Sequence, residues 1–206
     1  MRVVDPAVAT ALAQRRLIAR DFVWFRARDR VTGLPVEDAY WSGLDDIDAQ
    51  VILPRTAQVV TRTYRAGVGL ISIGAIPLVG NLTVQTVQIR LAQIDEHIET
   101  LLRIYDPRQA DVEVHRGLFD PATGAAVSAL FPRFLGFVDR VELTTPREGG
   151  EGGLTATCVS DAQEMGRSNP ERRSDAEQRR RSATDDFFAD ASTIGDLQIF
   201  WGTAKS

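Results

Sequence analysis

The hydrophobic and polar positions of residues 88–145 change period along the chain. The first part has apolar residues at the spacing of one helical face, which predicts an amphipathic helix. Two later segments, residues 111–119 and 134–143, alternate between apolar and polar side chains, which predicts two strands. The turn-forming sequence Asp120-Pro-Ala-Thr-Gly124 lies between the strands. The apolar positions of the predicted helix are Leu91, Ile94, Ile98, Leu101 and Leu102.

The N-terminal part of the chain predicts a helix followed by a hairpin. Asp5-Pro6 places an N-cap acid before a proline at the first helical position, and we expect this helix to run to about residue 18. Residues 21–28 alternate like a strand, residues 32–35 have turn chemistry, and residues 36–41 form the return strand.

Further strands are predicted at residues 61–65, 70–73, 82–89 and 154–161, and residues 43–48 are predicted to be an acidic loop. The glycine-rich residues 146–153 are interpreted as a loop tip between two strands. They lack the Lys-Ser/Thr pair of a phosphate-binding loop.

The C-terminal part predicts short elements. Residues 166–170 form a turn, and Ser174-Asp-Ala-Glu177 is a capping box that starts a helix through Arg181. Thr184 offers a second N-cap, and residues 194–201 are predicted to be a last strand. The expected fold is β-rich α+β, with a β-sandwich or barrel, a packed helix and short terminal helices. The expected regions are residues 1–55, a helix and hairpin, and residues 56–206, a β domain with a helical C-terminal segment.

Composition indicates a folded chain without a global basic field. The 206 residues are 44% hydrophobic and 25% charged, with a net charge of −4, which does not favour binding to DNA or to anionic membranes. Lys205 is the only lysine among 24 basic residues. This arginine bias reflects either a GC-rich genome or selection for packed interfaces. Residues 68–79, the longest apolar stretch, are too short for a membrane span. The N-terminus has no signal-peptide core, so we expect synthesis in the cytoplasm.

The candidate chemistry is sparse. Cys158 is the only cysteine, which excludes an internal disulfide and a multi-cysteine metal site, and we expect it to be a buried structural thiol. The acids near His97 and His115 are interpreted as solvated charges, as are Asp45, Asp46 and Asp48. We therefore expect no enzymatic activity, no cofactor and no metal.

The predicted interaction residues lie in the last 35 residues. Five arginines fall within residues 172–181, interleaved with acids, which favours a charged subunit interface or a solvated helix over DNA contact. Four nearby aromatic residues are interpreted as core or interface anchors. The full set is Arg172, Arg173, Arg179, Arg180, Arg181, Phe187, Phe188, Phe200 and Trp201.

The order of these features resembles tail proteins of long-tailed bacteriophages and of phage-derived gene transfer agents, from the distal-tail and hub region of the baseplate. The resemblance covers roughly residues 60–202. Its motifs are Thr61-Arg-Thr-Tyr-Arg65, Ile104-Tyr-Asp-Pro107, residues 112–124, Phe134-Leu-Gly-Phe-Val-Asp139, residues 172–179, Asp185-Asp-Phe-Phe188 and Trp201-Gly202.

This resemblance implies a structural virion protein with a β domain like that of tail tube proteins, assembled as a ring around the tail lumen. Its partners would be further copies of itself, the tail tube protein, the tape-measure protein and a central fibre or hub protein. No membrane or specific nucleic acid is implied. Some hub-associated proteins hold an iron–sulfur cluster through cysteines, which Cys158 alone cannot do. The location implied is the virion tail tip, after assembly in the host cytoplasm. The alternatives are a tail-associated cell-wall hydrolase and a DNA-binding accessory protein acting through residues 172–181.

Overall fold

The structure is a computed structural model that describes residues 5–66, 72–77, 83–92, 105–144, 147–148, 152–166, 173–191, 193–196 and 202. These residues divide between two compact units, residues 1–166, here the sheet unit, and residues 167–206, here the C-terminal unit. The strands are β1 (Ile18–Asp29), β2 (Pro35–Trp41), β3 (Ile47–Ile52), β4 (Val59–Tyr64), β5 (Ser72–Ile73), β6 (Thr86–Ala92), β7 (Tyr105–Phe119), β8 (Phe131–Thr144) and β9 (Gly153–Ser160). The helices are α1 (Pro6–Gln14), α2 (Ala162–Met165), α3 (Asp175–Arg181) and the 3₁₀ turn Ile194–Asp196.

Seven strands form one antiparallel sheet in the order β2-β1-β7-β8-β9-β6-β5, and β3 and β4 form a separate hairpin. The sheet is curled. Buried side chains of β2 and β1, at one end of the strand order, pack in the same core as those of β6 and β9, near the other end. The expected β-rich class is therefore confirmed at the level of a curled antiparallel sheet with few short helices. The regions predicted as 1–55 and 56–206 share this sheet, since β1 pairs with β7.

The inner core explains the alternation of β1. Val23, Phe25 and Ala27 point into the concave side of the sheet and pack with buried residues of the other strands. Gly136 in β8 allows β9 to approach closely, because a Cβ at this position would lie 2.0 Å from the Val159 carbonyl oxygen. Any larger residue at 136 would therefore displace the β8–β9 backbone.

The opposite side of the sheet carries a second, more aromatic core beneath the β3–β4 hairpin. Phe22 and Trp24 of β1 are buried there with Val51 of β3 and Tyr64 of β4. Phe22 packs edge-to-face on Tyr64, with ring centroids 4.9 Å apart. Because both faces of β1 are covered, four consecutive residues, 22–25, are buried.

Several N-terminal predictions are confirmed, with changed boundaries. Asp5 caps α1 by accepting a 2.8 Å hydrogen bond from the Ala7 amide, and the β1–β2 hairpin forms as expected. The helix ends at Gln14 and does not reach residue 18, because Arg15 adopts a left-handed conformation with φ 55°. The acidic loop ends before residue 48, since β3 begins at Ile47.

The predicted helix that starts at Leu91 is wrong at its start, whereas the strand predicted at residues 82–89 continues through this position. Residues 88–92 belong to β6, whose inward positions Val87, Ile89 and Leu91 are buried at strand period. Leu91 fits both periods, which is why the helical pattern was extended too far back. Residues 93–104 lie outside the described residues. Only 72–73 of the predicted strand 70–73 is described, and the strand predicted from residue 82 begins at Thr86.

The later strands are confirmed at greater length than expected. β7 and β8 extend beyond residues 111–119 and 134–143, with the predicted turn after Asp120 between them. β9 overlaps the strand predicted at residues 154–161 but begins at Gly153, which was predicted in the loop tip. Residues 146 and 149–151 of that predicted loop tip lie outside the described residues.

The C-terminal unit agrees in part with expectation. Helix α3 forms with Ser174 as its N-cap, and the Ser174 hydroxyl accepts a hydrogen bond from the Glu177 amide. Thr184 does not start a helix, because the Asp185 carboxylate instead accepts the Phe187 amide in a turn. The strand predicted at residues 194–201 is wrong at its start, since Ile194–Asp196 is a 3₁₀ turn. Residues 197–201 and 167–170 lie outside the described residues.

Candidate functional site

The predicted arginine surface is built on α3. Asp175 and Glu177 lie in its first turn and Arg179, Arg180 and Arg181 in its last turn. This order places negative charge at the positive end of the helix dipole and positive charge at its negative end. The charge pattern therefore stabilises the helix itself, in addition to any role at an interface.

Two of these arginines pair with acids of the same helix. Arg179 Nε donates to the Asp175 carboxylate at 2.8 Å, and Arg180 lies 3.5 Å from Glu177. The hydrogen bond that Arg179 donates to Asp175 raises the pKa of Arg179 above its usual value. Arg173 is exposed. Such a helix presents a mixed charged face and not an unpaired basic patch.

Phe187 and Phe188 form an aromatic pair, in which Phe187 is exposed and Phe188 is half-buried. Their rings pack edge-to-face with centroids 5.0 Å apart, and Phe187 is 80% exposed. The Asp185 carboxylate holds the turn by accepting the Phe187 amide, and hydrogen bonds from Gln178 and Phe187 lower its pKa. Among the described residues of the C-terminal unit, none is buried. Arg172, Phe200 and Trp201, also predicted at the interface, lie outside the described residues.

A buried charged cluster that was not predicted from the sequence lies between the sheet and the β3–β4 hairpin. Arg62 of β4 donates to the Glu113 carboxylate of β7 at 2.6 Å, and its guanidinium lies 4.0 Å from the centroid of the Trp24 ring. Only 15% of the Arg62 side chain and 10% of the Glu113 side chain are exposed. The expectation that Glu113 is a solvated charge is therefore wrong.

His115 extends this cluster. Its Nε2 donates to the Ile52 carbonyl at 3.1 Å and lies 3.7 Å from the Glu113 carboxylate. Because a carbonyl can only accept, Nε2 carries the proton. Nδ1 has no hydrogen-bond partner in the described part of the chain. Burial lowers the pKa of His115 to about 4, so the ring is neutral at pH 7.

The cluster is closed to substrates. His115 is fully buried, Glu113 is nearly so, and burial raises the pKa of the adjoining Tyr64 to about 12. A general acid or base must reach the group with which it exchanges a proton, and these groups are shielded by the hairpin. The arrangement suits a polar bond between two layers, holding β4 against β7.

Only a weak signal for this cluster is present in the sequence. Glu113 and His115 alternate with Val112 and Val114, so they were placed on one face of a strand. What the pattern did not show is that β3 and β4 cover that face, through a contact between residues 51 positions apart. A strand with one apolar and one polar face is the usual signature of a wet face, and here the polar face is dry.

The remaining candidate groups have structural roles. Cys158 is buried in the inner core, as expected, and burial raises the pKa of its thiol to about 12, so it is not a reactive thiolate. One carboxylate oxygen of Asp46 accepts a hydrogen bond from the Ala66 amide, and one of Asp48 accepts a hydrogen bond from the Thr63 hydroxyl. Within the described residues, no group of three or more His, Cys, Asp or Glu side chains is arranged to hold a metal ion.

Comparisons with models of protein families and with curated protein sequences found no match to this chain. Among the described helices, none has the length and apolar character needed to cross a membrane.

Proposed function

We propose that this protein is a structural component of a bacteriophage or gene-transfer-agent tail tip. It assembles into a ring that joins the tail tube to the baseplate hub and the host-recognition parts, and it acts without catalysis. The curled, β-rich sheet is compatible with the tail-tube-like domain that the resemblance implies, and in this proposal the C-terminal unit supplies the contacts to neighbouring subunits. The motifs described above motivate this assignment.

One observation carries the proposal: the C-terminal unit has an aromatic pair, exposed Phe187 on half-buried Phe188, close in sequence to an arginine-rich helix. Aromatic and arginine side chains are enriched at the centres of protein interfaces. In the described residues of this unit no side chain is buried, so the ring of Phe187 contributes little to a core of its own. Burying it against a neighbour would remove its apolar surface from water.

The sheet supports assembly through side-chain surfaces and not through extension of the sheet at β2. Three positions on the outer edge of β2 are blocked. Pro35 has no N–H, the Ala39 amide donates to the Asp38 carboxylate, and the Trp41 amide donates to the Arg65 carbonyl. Proline and charged residues at an edge strand prevent pairing with another chain. A ring would therefore use other faces of the molecule.

The two alternatives are not favoured by any arrangement that the structure describes. The Arg62–Glu113–His115 cluster, the closest approach to an acid–base site, is covered by the hairpin. The arginines of α3 are partly neutralised by Asp175 and Glu177, which reduces what they can offer to a phosphate backbone.

Assembly of the purified full chain tests the proposal. We expect the double variant Phe187→Ala/Phe188→Ala to lose ring formation on purified tail tubes, measured by electron microscopy and by co-sedimentation. Val31→Ala is the matched control, because Val31 is 91% exposed in the sheet unit, and it should assemble like the wild type. If the double variant also assembles like the wild type, the aromatic pair is not the contact.

Activity measurements test the non-enzymatic part of the proposal. We expect no clearing in a zymogram on peptidoglycan and no duplex DNA retention at physiological salt. Clearing that disappears on replacing a single acidic residue would overturn the proposal in favour of a hydrolase. Salt-dependent DNA binding lost in Arg179→Ala/Arg180→Ala/Arg181→Ala would favour the accessory-protein alternative.

A further inference from the structure

A polar cleft lies at the end of the sheet where the β1–β2 hairpin turns. Its volume is about 720 Å³, and it is lined by residues of β1, the hairpin and the start of β7. Volumes of this size are typical of small-molecule sites. The lining residues are distant in sequence from Phe187 and α3. Ligand binding in this cleft would therefore not depend on the proposed ring assembly.

An irregularity in β7 creates the cleft. Arg26 pairs with Asp111 and Arg28 with Asp106, so Ala27 alone faces the residues between Asp106 and Asp111. Within that bulge Gln109 adopts φ 58°, a left-handed conformation that non-glycine residues rarely take. Bulges of this kind redirect side chains at functional sites. The preceding residue, Arg108, lies in the wall of the cleft.

Three exposed arginines of the cleft have side chains with no partner among the described residues. Arg26, Arg28 and Arg108 line it and are exposed. No ion pair or side-chain hydrogen bond involves their guanidinium groups within the described residues. Several other arginines pair with acids, such as Arg62 with Glu113 and Arg179 with Asp175. A guanidinium fork matches the two oxygens of a phosphate or carboxylate group.

Two acids share the cleft with the arginines. Asp111 is half-buried and its carboxylate pairs with no described residue, while one oxygen of Asp106 accepts the Arg108 amide at 3.1 Å. Glu37 is the other strand neighbour of Arg26. The surroundings are therefore close to neutral overall, which does not suit a polyanion. Carboxylates accept hydrogen bonds from hydroxyl groups, so the cleft offers partners for both an oxyanion and neighbouring hydroxyls.

We propose that this cleft binds a small carbohydrate that carries a phosphate group. Arg28 and Arg108 bind the phosphate oxygens, and Asp111 accepts a hydrogen bond from a sugar hydroxyl. The described lining residues include no aromatic side chain, so none of them offers a ring on which a nucleobase could stack. This feature favours a sugar phosphate over a nucleotide.

Binding of three probes to the full chain tests the proposal. Amide chemical shifts and calorimetry would be recorded with glucose 6-phosphate, inorganic phosphate and glucose. We expect glucose 6-phosphate to bind about tenfold more tightly than inorganic phosphate, and glucose alone to bind weakest, with shifts confined to residues 26–35 and 106–111. Shifts elsewhere, or no shifts with any probe, would overturn the site. Equal affinity for phosphate and sugar phosphate would overturn the assignment to a carbohydrate.

Variants separate the two halves of the site. Arg28→Gln and Arg108→Gln should each weaken glucose 6-phosphate binding by about tenfold, as expected for loss of a charge-assisted hydrogen bond. Asp111→Asn should weaken the sugar phosphate severalfold and leave inorganic phosphate unchanged. Arg140→Gln is the control, because Arg140 is an exposed arginine of β8 outside the cleft. Wild-type affinity in Arg28→Gln/Arg108→Gln would contradict the proposal.

Discussion

The sheet unit and the C-terminal unit use the same kinds of residue in opposite ways. In the sheet unit, Phe22 and Arg62 are enclosed, the first in an aromatic core and the second in an ion pair with Glu113. In the C-terminal unit, Phe187 is 80% exposed and Arg179 pairs with Asp175 at the surface. Substitutions in the first unit should therefore change the free energy of unfolding, and those in the second should change association.

The largest effect is expected from Gly136→Ala in β8. The added Cβ would lie 2.0 Å from the Val159 carbonyl oxygen, so β8 and β9 must separate. We expect a loss of about 4 kcal/mol in the free energy of unfolding, measured by urea denaturation. Gly195→Ala, where a Cβ meets nothing within 4 Å, is the control in the C-terminal unit and should change stability by less than about 0.5 kcal/mol. A mild effect of Gly136→Ala would show that the strands are not as closely packed as described.

Glu113→Ala should have the next largest effect. It leaves the Arg62 guanidinium beneath the hairpin without its partner, which we expect to cost about 3 kcal/mol of unfolding free energy. The matched variant is Glu142→Ala, whose ion pair with Arg140 is 3.2 Å long but more than half exposed. That change should cost no more than about 0.5 kcal/mol. Similar losses in the two variants would contradict the description of the cluster as a buried link between layers.

A smaller loss of unfolding free energy is expected when the pH is lowered. Unfolded His115 takes up a proton below about pH 6.5, whereas the folded side chain stays neutral until its pKa of about 4. The contribution of neutral His115 to the free energy of unfolding is therefore fully present above pH 6.5 and decreases between pH 6.5 and pH 4. The loss at pH 5 is about 2 kcal/mol. Urea denaturation from pH 7 to pH 5 measures this loss, and His115→Gln should reduce the slope. An unchanged slope in the variant would show that His115 is not the group that titrates.

The smallest effect on global stability is expected from Ser174→Ala. It removes the hydroxyl that caps α3, which destabilises the helix locally by about 1 kcal/mol. Because none of the described residues of this unit is buried, the unfolding midpoint of the sheet unit should not move. Hydrogen exchange should show faster exchange at the Glu177 amide alone. A shift of the global midpoint would mean that the two units unfold together.

The sequence predicted the local elements of the sheet unit well, for a physical reason. The β1–β2 hairpin and the β7–β8 pair depend on neighbouring residues, with period-two alternation in the strands and turn chemistry at Gly33 and Gly124, both at positive φ. Asp5 and Ser174 were recognised as caps because capping is also local. These signals lie within a few residues of one another.

The sequence did not predict what depends on distant contacts. The dry environment of Glu113 comes from Arg62, which is 51 residues away. Leu91 was assigned to a helix because it fits both periods, and only its pairing with Leu154 places it in a strand. The polar cleft was missed because it arises from a bulge in β7, which alternation does not reveal.

Two C-terminal predictions, the N-cap at Thr184 and the start of a strand at residue 194, are wrong for a different reason. Thr184 has the composition of an N-cap, and residues 194–201 have the composition of a strand, but local preference decides little without a core to pack against. In the structure the Asp185 carboxylate binds the Phe187 amide, and Ile194 begins a 3₁₀ turn. The predicted interface set therefore stays a prediction, with Phe187 and Phe188 as its best-supported members.

Labelling of assembled particles tests the central proposal most directly. Antibodies against the full chain, bound to gold, would be imaged on intact particles from the source of this sequence. We expect gold at the end of the tail that carries the baseplate, and particles lacking the protein should have unfinished tail tips. Gold absent from the tails, in a preparation where the chain is shown to be expressed, would contradict the assignment as a tail-tip ring protein.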